Sequence, residues 1–276
     1  MNPSRSLRAP RGGMGGSATG FSLIELLVVI AIIAVLAGLL LPALGRARAR
    51  GLAASCQSNA RQLHLGWHMY ADDHGGRLVN NHGVGETRSR RDNWVNHVLN
   101  WEDSEENTNL LYVTGGRLGP YLGGSVAVFR CPGDRTRSLV GPRTRSFSMN
   151  SLVGDPGELT NQFNPLWMQF FREPEVVAPA SVFVFLDEHP DTINDGFFMN
   201  RLSEPPRWGN LPASFHGGAG NLVFADGHGE LRRWVVAGGD DATVRPNVKG
   251  GAGGIFAVRN TADWDWLRDR SGVQRP

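Results

Sequence analysis

The stretch Gly20-Phe21-Ser22-Leu23-Ile24-Glu25, continued over residues 26–44 as LLVVIAIIAVLAGLLLPAL, decides how the rest of the chain is read. Residues 26–44 are nineteen in a row without a charge. At about 1.5 Å per residue such a run crosses a hydrocarbon core of about 30 Å, which predicts a membrane-spanning helix. A secretory signal has a shorter apolar region, about 7–15 residues, ahead of a small-x-small cleavage site. Ala47-Arg48-Ala49 fits such a site loosely, but the run before it is too long. Glu25 stands one turn inside this apolar helix, where a buried charge costs a few kcal/mol. Ser22-Leu23-Ile24-Glu25 reads as a capping box, the Glu25 side chain returning to the Ser22 backbone N–H. That accounts for the glutamate. It does not account for a glycine-rich leader that carries Arg5, Arg8 and Arg11, contains no acid, and ends at Gly20 directly before Phe21.

Outside this segment the composition describes a globular, loop-rich body. The 276 residues are 41% hydrophobic and 20% charged, which excludes collagen-like and disordered classes. With 36 glycines and 16 prolines, about a fifth of the chain, strands, turns and long loops are favoured over helices. The net charge of +2 resides in the leader, and the near-neutral remainder argues for no nucleic-acid partner.

Beyond Pro42, the residues Leu52, Cys56, Ala60, Leu63, Trp67 and Tyr70 recur at helical spacing, so the helix continues as an amphipathic rod to about Asp73, where His74-Gly75-Gly76 breaks it. Arg46, Arg48, Arg50 and Arg61 read as a solvated face and membrane-exit belt. From residue 77 the pattern changes to short apolar runs between glycine, proline and asparagine, predicting antiparallel sheet. The clearest strands are 126–130, 145–149, 181–186, 221–225 and 230–236, with 85–120 and 150–175 irregular. Ala225-Asp226-Gly227-His228 predicts a hairpin with a type I′ turn.

The segment Gly20-Phe21-Ser22-Leu23-Ile24-Glu25 with its apolar helix closely resembles the prepilin-type cleavage and methylation segment of type IV pilins and type II secretion pseudopilins. The resemblance implies that a prepilin peptidase cuts between Gly20 and Phe21 and methylates the new amine. Glu25 then pairs with the N-terminal amine of a neighbouring subunit. It also implies a single-pass inner-membrane protein, its N-terminus cytoplasmic and its body periplasmic. Its partners would be the lipid bilayer, other pilin-like subunits and an inner-membrane assembly platform.

A second resemblance lies downstream. His216, nine residues, then Asp226-Gly227 is similar to the H-X9-DG domain that accompanies prepilin-type N-termini. Cys56-Gln57-Ser58-Asn59, Phe129-Arg130-Cys131-Pro132, Ser146-Phe147-Ser148-Met149-Asn150 and Leu186-Asp187-Glu188 agree with that family's other motifs. Phe147 and Gly229 depart from its commoner tyrosine and valine. The expected fold is α+β and pilin-like: a long helix packed on a C-terminal antiparallel sheet. The expected organisation is a leader (1–20), a transmembrane half-helix (21–44), an amphipathic half-helix (45–75), a β-rich H-X9-DG domain (76–237) and a loop-rich tail (238–276).

Several polar residues invite a chemical reading. His216, Asp226 and His228, with Asp187, Glu188 and His189, are of types that bind Zn²⁺ or another divalent metal. The first reading is structural stitching of one hairpin by a His/Asp hydrogen bond. Asp187, Glu188, Asp191, Asn194 and Asp195 offer oxygen ligands suited to Ca²⁺, without EF-hand spacing. Cys56 and Cys131 form a disulfide tying helix to sheet in a periplasmic body, or two separately buried thiols. The eight tryptophans read as core rather than a sugar-binding surface. No G-x-S-x-G, H-E-x-x-H, P-loop or dinucleotide fingerprint occurs. The sequence therefore points to a structural pilin-like subunit rather than an enzyme. The rival is a membrane-anchored envelope protein binding a metal or carbohydrate through the His216/Asp226 region.

Overall fold

The computed structural model describes residues 22–203, 205–237, 243–244 and 256–276. The chain divides into two compact units, Met1–Arg46 and Ala47–Pro276. Helix α1 (Leu23–Asp73) contributes to both. In the first unit, every leucine, isoleucine and valine between positions 23 and 44 is exposed. A helix apolar on all sides finds its solvent in a membrane or an assembly, not in water. The helix is long and apolar enough to cross a membrane.

The second unit is where the amphipathic stripe acts. Cys56, Ala60, Leu63, Trp67 and Tyr70 are buried as their spacing predicts, with Ala53 rather than Leu52 opening the buried stripe. The helix stops at a Schellman arrangement: Gly76 N–H donates to Ala71 O at 2.7 Å and Gly75 N–H to Asp72 O at 3.3 Å. Short helices α2 (Val84–Arg90) and α3 (Leu111–Thr114) interrupt the irregular segment that follows.

The sheet is built from β1 (Phe147–Asn150), β2 (Phe183–Asp187), β3 (Phe197–Phe198), β5 (Ala219–Phe224) and β6 (Gly229–Arg233), in the order β3-β1-β2-β5-β6. A second pair joins β4 (Arg207–Trp208) to β7 (Phe256–Ala257). The layout is α+β, as expected, but the sheet is mixed: β3 runs parallel to β1. The expected strand at 126–130 is instead a 3-10 turn, Val126–Phe129. A four-residue apolar run cannot by itself distinguish the two.

Two apolar layers flank the sheet. One unites the buried stripe of α1 with Phe147, Met149, Val184, Phe185, Val223 and Ala225. The other joins Phe183, Leu186, Leu222 and Phe224 to Trp208, Trp234, Trp264 and Leu267. The C-terminal segment is thus more than loop, since α4 (Ala262–Arg268) supplies Trp264 and Leu267 to this second layer. Six of the eight tryptophans are buried, in keeping with core packing.

The β5–β6 hairpin differs from the predicted type I′ turn. Gly227 N–H donates to Phe224 O at 2.9 Å and Phe224 N–H to His228 O at 2.9 Å. Only Gly227 of the loop takes a positive φ, +86°. This is a three-residue loop, a type I turn closed by a left-handed glycine, so Asp226 needs no left-handed backbone.

Candidate functional site

At the start of α1 the capping box forms. Ser22 N–H donates to Glu25 Oε2 at 2.9 Å, and Ile24 N–H donates to Ser22 Oγ at 3.3 Å. Gly20 and Phe21, with the arginines of the leader, lie outside the described residues. Around Glu25 the segment offers a carboxylate among exposed leucines, isoleucines and valines, with no basic side chain between positions 22 and 45 to neutralise it.

Inside the body, the cysteine pair comes together with two of the candidate metal ligands. Cys56, Cys131, Asp187 and His216 place one donor atom each within 4.8 Å of all the others. None is more than 9% exposed. Cys56 comes from α1 and Asp187 from the end of β2. Cys131 follows the Val126–Phe129 turn, which Asn59 on α1 holds by donating to Ala127 O within it at 3.0 Å and to Arg130 O just after it at 2.8 Å. His216 precedes β5, its N–H donating to Ala219 O at 3.1 Å. Cys131 Sγ lies 3.3 Å from His216 Nε2, Asp187 Oδ2 lies 3.7 Å from that nitrogen, and Cys56 Sγ lies 3.9 Å from Asp187 Oδ2. Both cysteines are free thiols in this structure.

The electrostatics of the cluster follow from burial. Removal from water pushes the Asp187 carboxyl well above the usual carboxylate range and pushes the Cys56 thiol up. Cys131 goes the other way, down to about 6, because Cys56 hydrogen-bonds to its sulfur and, against the burial cost, His216 and the Gly133 N–H add to that pull. Gly133 makes this approach possible. A Cβ there would stand 3.0 Å from His216 Cε1 and 3.4 Å from Cys131 Sγ.

The acidic stretch after β2 does not gather into an oxygen cage. Glu188 Oε1 accepts from Asn210 Nδ2 at 2.6 Å, Asp191 Oδ2 lies 3.7 Å from His189 Nδ1, and Asp195 Oδ1 accepts from Phe197 N–H at 3.0 Å. The charges facing them are two buried arginines that the sequence reading missed. Arg143 faces Glu188 and Asp191, while Arg145 faces Glu188 and Asp195. Burial draws both guanidinium groups down to about 10. Each also stacks on a tryptophan, Arg143 over Trp101 at 4.0 Å and Arg145 over Trp94 at 5.5 Å. The signal available in the sequence was a run of acids, 187–195, with no lysine or arginine among them.

The two ends of the His216/Asp226-Gly227 motif serve different neighbours. His216 belongs to the four-donor cluster, while Asp226 Oδ1 lies 2.6 Å from His228 Nδ1 and accepts the His228 N–H at 3.0 Å. The His/Asp stitch of the hairpin therefore exists, with His228 as its histidine. Gly227 packs against His64 of α1, whose Nε2 lies 3.0 Å from Ala225 O.

Residues 17–41 match the prokaryotic N-terminal methylation motif. The match spans the end of the leader and the apolar half of α1, and it supports a pilin-like protein processed at its N-terminus. No curated protein and no solved structure matches the chain.

Proposed function

We propose that this chain is the precursor of a structural pilin-like subunit. It is inserted in the inner membrane with its body on the periplasmic side, cut by a prepilin peptidase between Gly20 and Phe21, and methylated on Phe21. It then polymerises through α1 into a type II secretion or type IV pilus-like filament. The observation that carries this reading is the methylation motif at 17–41, placed on a helix whose leucines, isoleucines and valines from 23 to 44 are all exposed. Such a surface needs lipid before assembly and neighbouring helices after it.

Glu25 has a defined task in this scheme. Cleavage after Gly20 creates a new amine at Phe21, and an ammonium from a neighbouring subunit beside the Glu25 carboxylate removes much of the cost of burying either charge. The body carries an H-X9-DG domain in His216 and Asp226-Gly227, which here serve folding rather than chemistry. No bond-making step is assigned to this subunit.

The test is intact-mass analysis of the protein taken from its native membrane, wild type against Gly20→Ala. The expected wild-type mass is that of a chain beginning at methylated Phe21, with uncut precursor accumulating in the variant. An uncut wild-type chain, or one cut near Ala49, overturns the proposal.

A further inference from the structure

A tetrahedral cation with bonds of about 2.3 Å to sulfur and 2.0–2.1 Å to nitrogen or oxygen holds its donors about 3.3–3.8 Å apart. The separations in the buried cluster are close to that spacing: 3.3 Å for Cys131–His216 and 3.7 Å for His216–Asp187 fall within it, and 3.9 Å for Cys56–Asp187 lies 0.1 Å beyond it. We propose that Cys56, Cys131, Asp187 and His216 form a structural zinc site that clamps α1 to the sheet. Four protein donors with almost no exposure leave no open position for substrate, as in closed structural centres.

The surroundings fit a metal better than a disulfide. An S–S bond uses two of the four donors and leaves Asp187 Oδ2 and His216 Nε2 with only each other, at 3.7 Å, in a buried apolar setting, a costly place for an ion pair. A divalent cation engages all four. The donors are also held from behind. Asn221 N–H donates to Asp187 Oδ1 at 2.7 Å and so directs Oδ2 toward the cluster, and Gly133 N–H donates to Cys131 Sγ at 3.3 Å. Two thiolates with an imidazole select a borderline ion over Ca²⁺ or Mg²⁺, which take oxygen ligands. The site lies wholly within residues 47–276, so it stands whether or not the N-terminal segment enters a filament.

The test uses the full chain in detergent, reduced and stripped of metal, titrated with Co²⁺. The expected result is saturation at one equivalent, with a sulfur-to-cobalt charge-transfer band and the intense visible bands of a tetrahedral centre, all displaced by Zn²⁺. Cys56→Ser and His216→Ala are each expected to weaken binding on the order of tenfold or more. Because either variant is liable to misfold, X-ray absorption of the zinc-loaded wild type provides a second readout, with two sulfur and two nitrogen or oxygen neighbours expected. A folded wild-type chain that gives no saturable cobalt band, or a first shell without sulfur, overturns the proposal. So does protein taken from the native envelope with its two cysteines bridged and no metal bound.

Discussion

Asp187 Oδ2 lies 3.9 Å from the sulfur of Cys56, a residue 131 positions earlier in the chain. A bulge in β2 brings the carboxylate to that face. The pairing with β5 shifts between Phe183 and Phe185. Val184 and Phe185 therefore both join the layer under α1, and Phe183 and Leu186 both join the opposite one. Asp187 then falls on the helix side in register with the cysteine.

Gly133 sets the clearance of the cluster. A methyl at this position meets His216 Cε1 at 3.0 Å and Phe215 Cβ at 3.3 Å. Gly133→Ala is expected to cost about 1–3 kcal/mol through overpacking. The effect would be read as a lower denaturation midpoint with an unchanged urea slope. A variant as stable as wild type would show that the loop yields freely.

Gly227 combines a left-handed backbone with a close neighbour. Its φ is +86°, and a Cβ there stands 3.2 Å from His64 Cε1. Gly227→Ala is expected to lose about 1–2 kcal/mol, and Gly227→Asn less, because asparagine tolerates this backbone region better than alanine. Thermal unfolding of the pair checks the ranking. Equal losses would assign the cost to the His64 contact instead.

Asp195 makes stability depend on pH. Burial raises its carboxyl to about 6, against the opposing pull of the Phe197 N–H and of Arg145, the charge that faces it. Between the unfolded value of 3.8 and about 6 the folded state holds the extra proton, so stability falls as pH rises through that window and levels off above it. The loss is of order 2–3 kcal/mol at most. Asp195→Asn is expected to flatten this stretch of the stability-versus-pH curve. An unchanged curve would mean that the carboxyl titrates as if exposed.

Asp263 anchors the C-terminal helix. Fully buried in the first turn of α4, it accepts the Val235 and Val236 N–H groups and the Thr243 hydroxyl. Asp263→Ala strands these donors, at about 1–3 kcal/mol for each group left unpaired. Limited proteolysis is expected to release the segment around 256–276 faster than in wild type, while the rest of the body survives.

Much of this fold was legible in the sequence, for physical reasons that differ by element. The apolar run announced α1, and the 3.6-residue stripe from Cys56 to Tyr70 announced which side of it would be buried. Strands β2 and β5 were marked by apolar runs, β1 by the alternation of Phe147 and Met149 with polar residues, and β6 by the Asp226-Gly227 turn that precedes it. The two-residue strands β3, β4 and β7 carry too little pattern to be read, and their pairing is set by the tertiary fold. All four donors of the cluster drew attention, but as two separate groups. The cysteines were read with each other, and His216 and Asp187 together among a wider set of candidate metal ligands. Proximity created by a bulge and a loop glycine has no signature in residue spacing. Arg143 and Arg145 were missed because arginine reads as surface unless its acids are seen to be buried.

The four donors also differ in when they are made. Cys56 leaves the ribosome roughly 160 residues before His216, and the contacts among the four close only over long loops. Until the last of them arrives, the helix carries an unaccompanied thiol and an apolar stripe with no sheet beneath it. The body thus has a built-in order of completion: its stalk is synthesised first and is locked to the sheet only after the strand that follows His216 has been made.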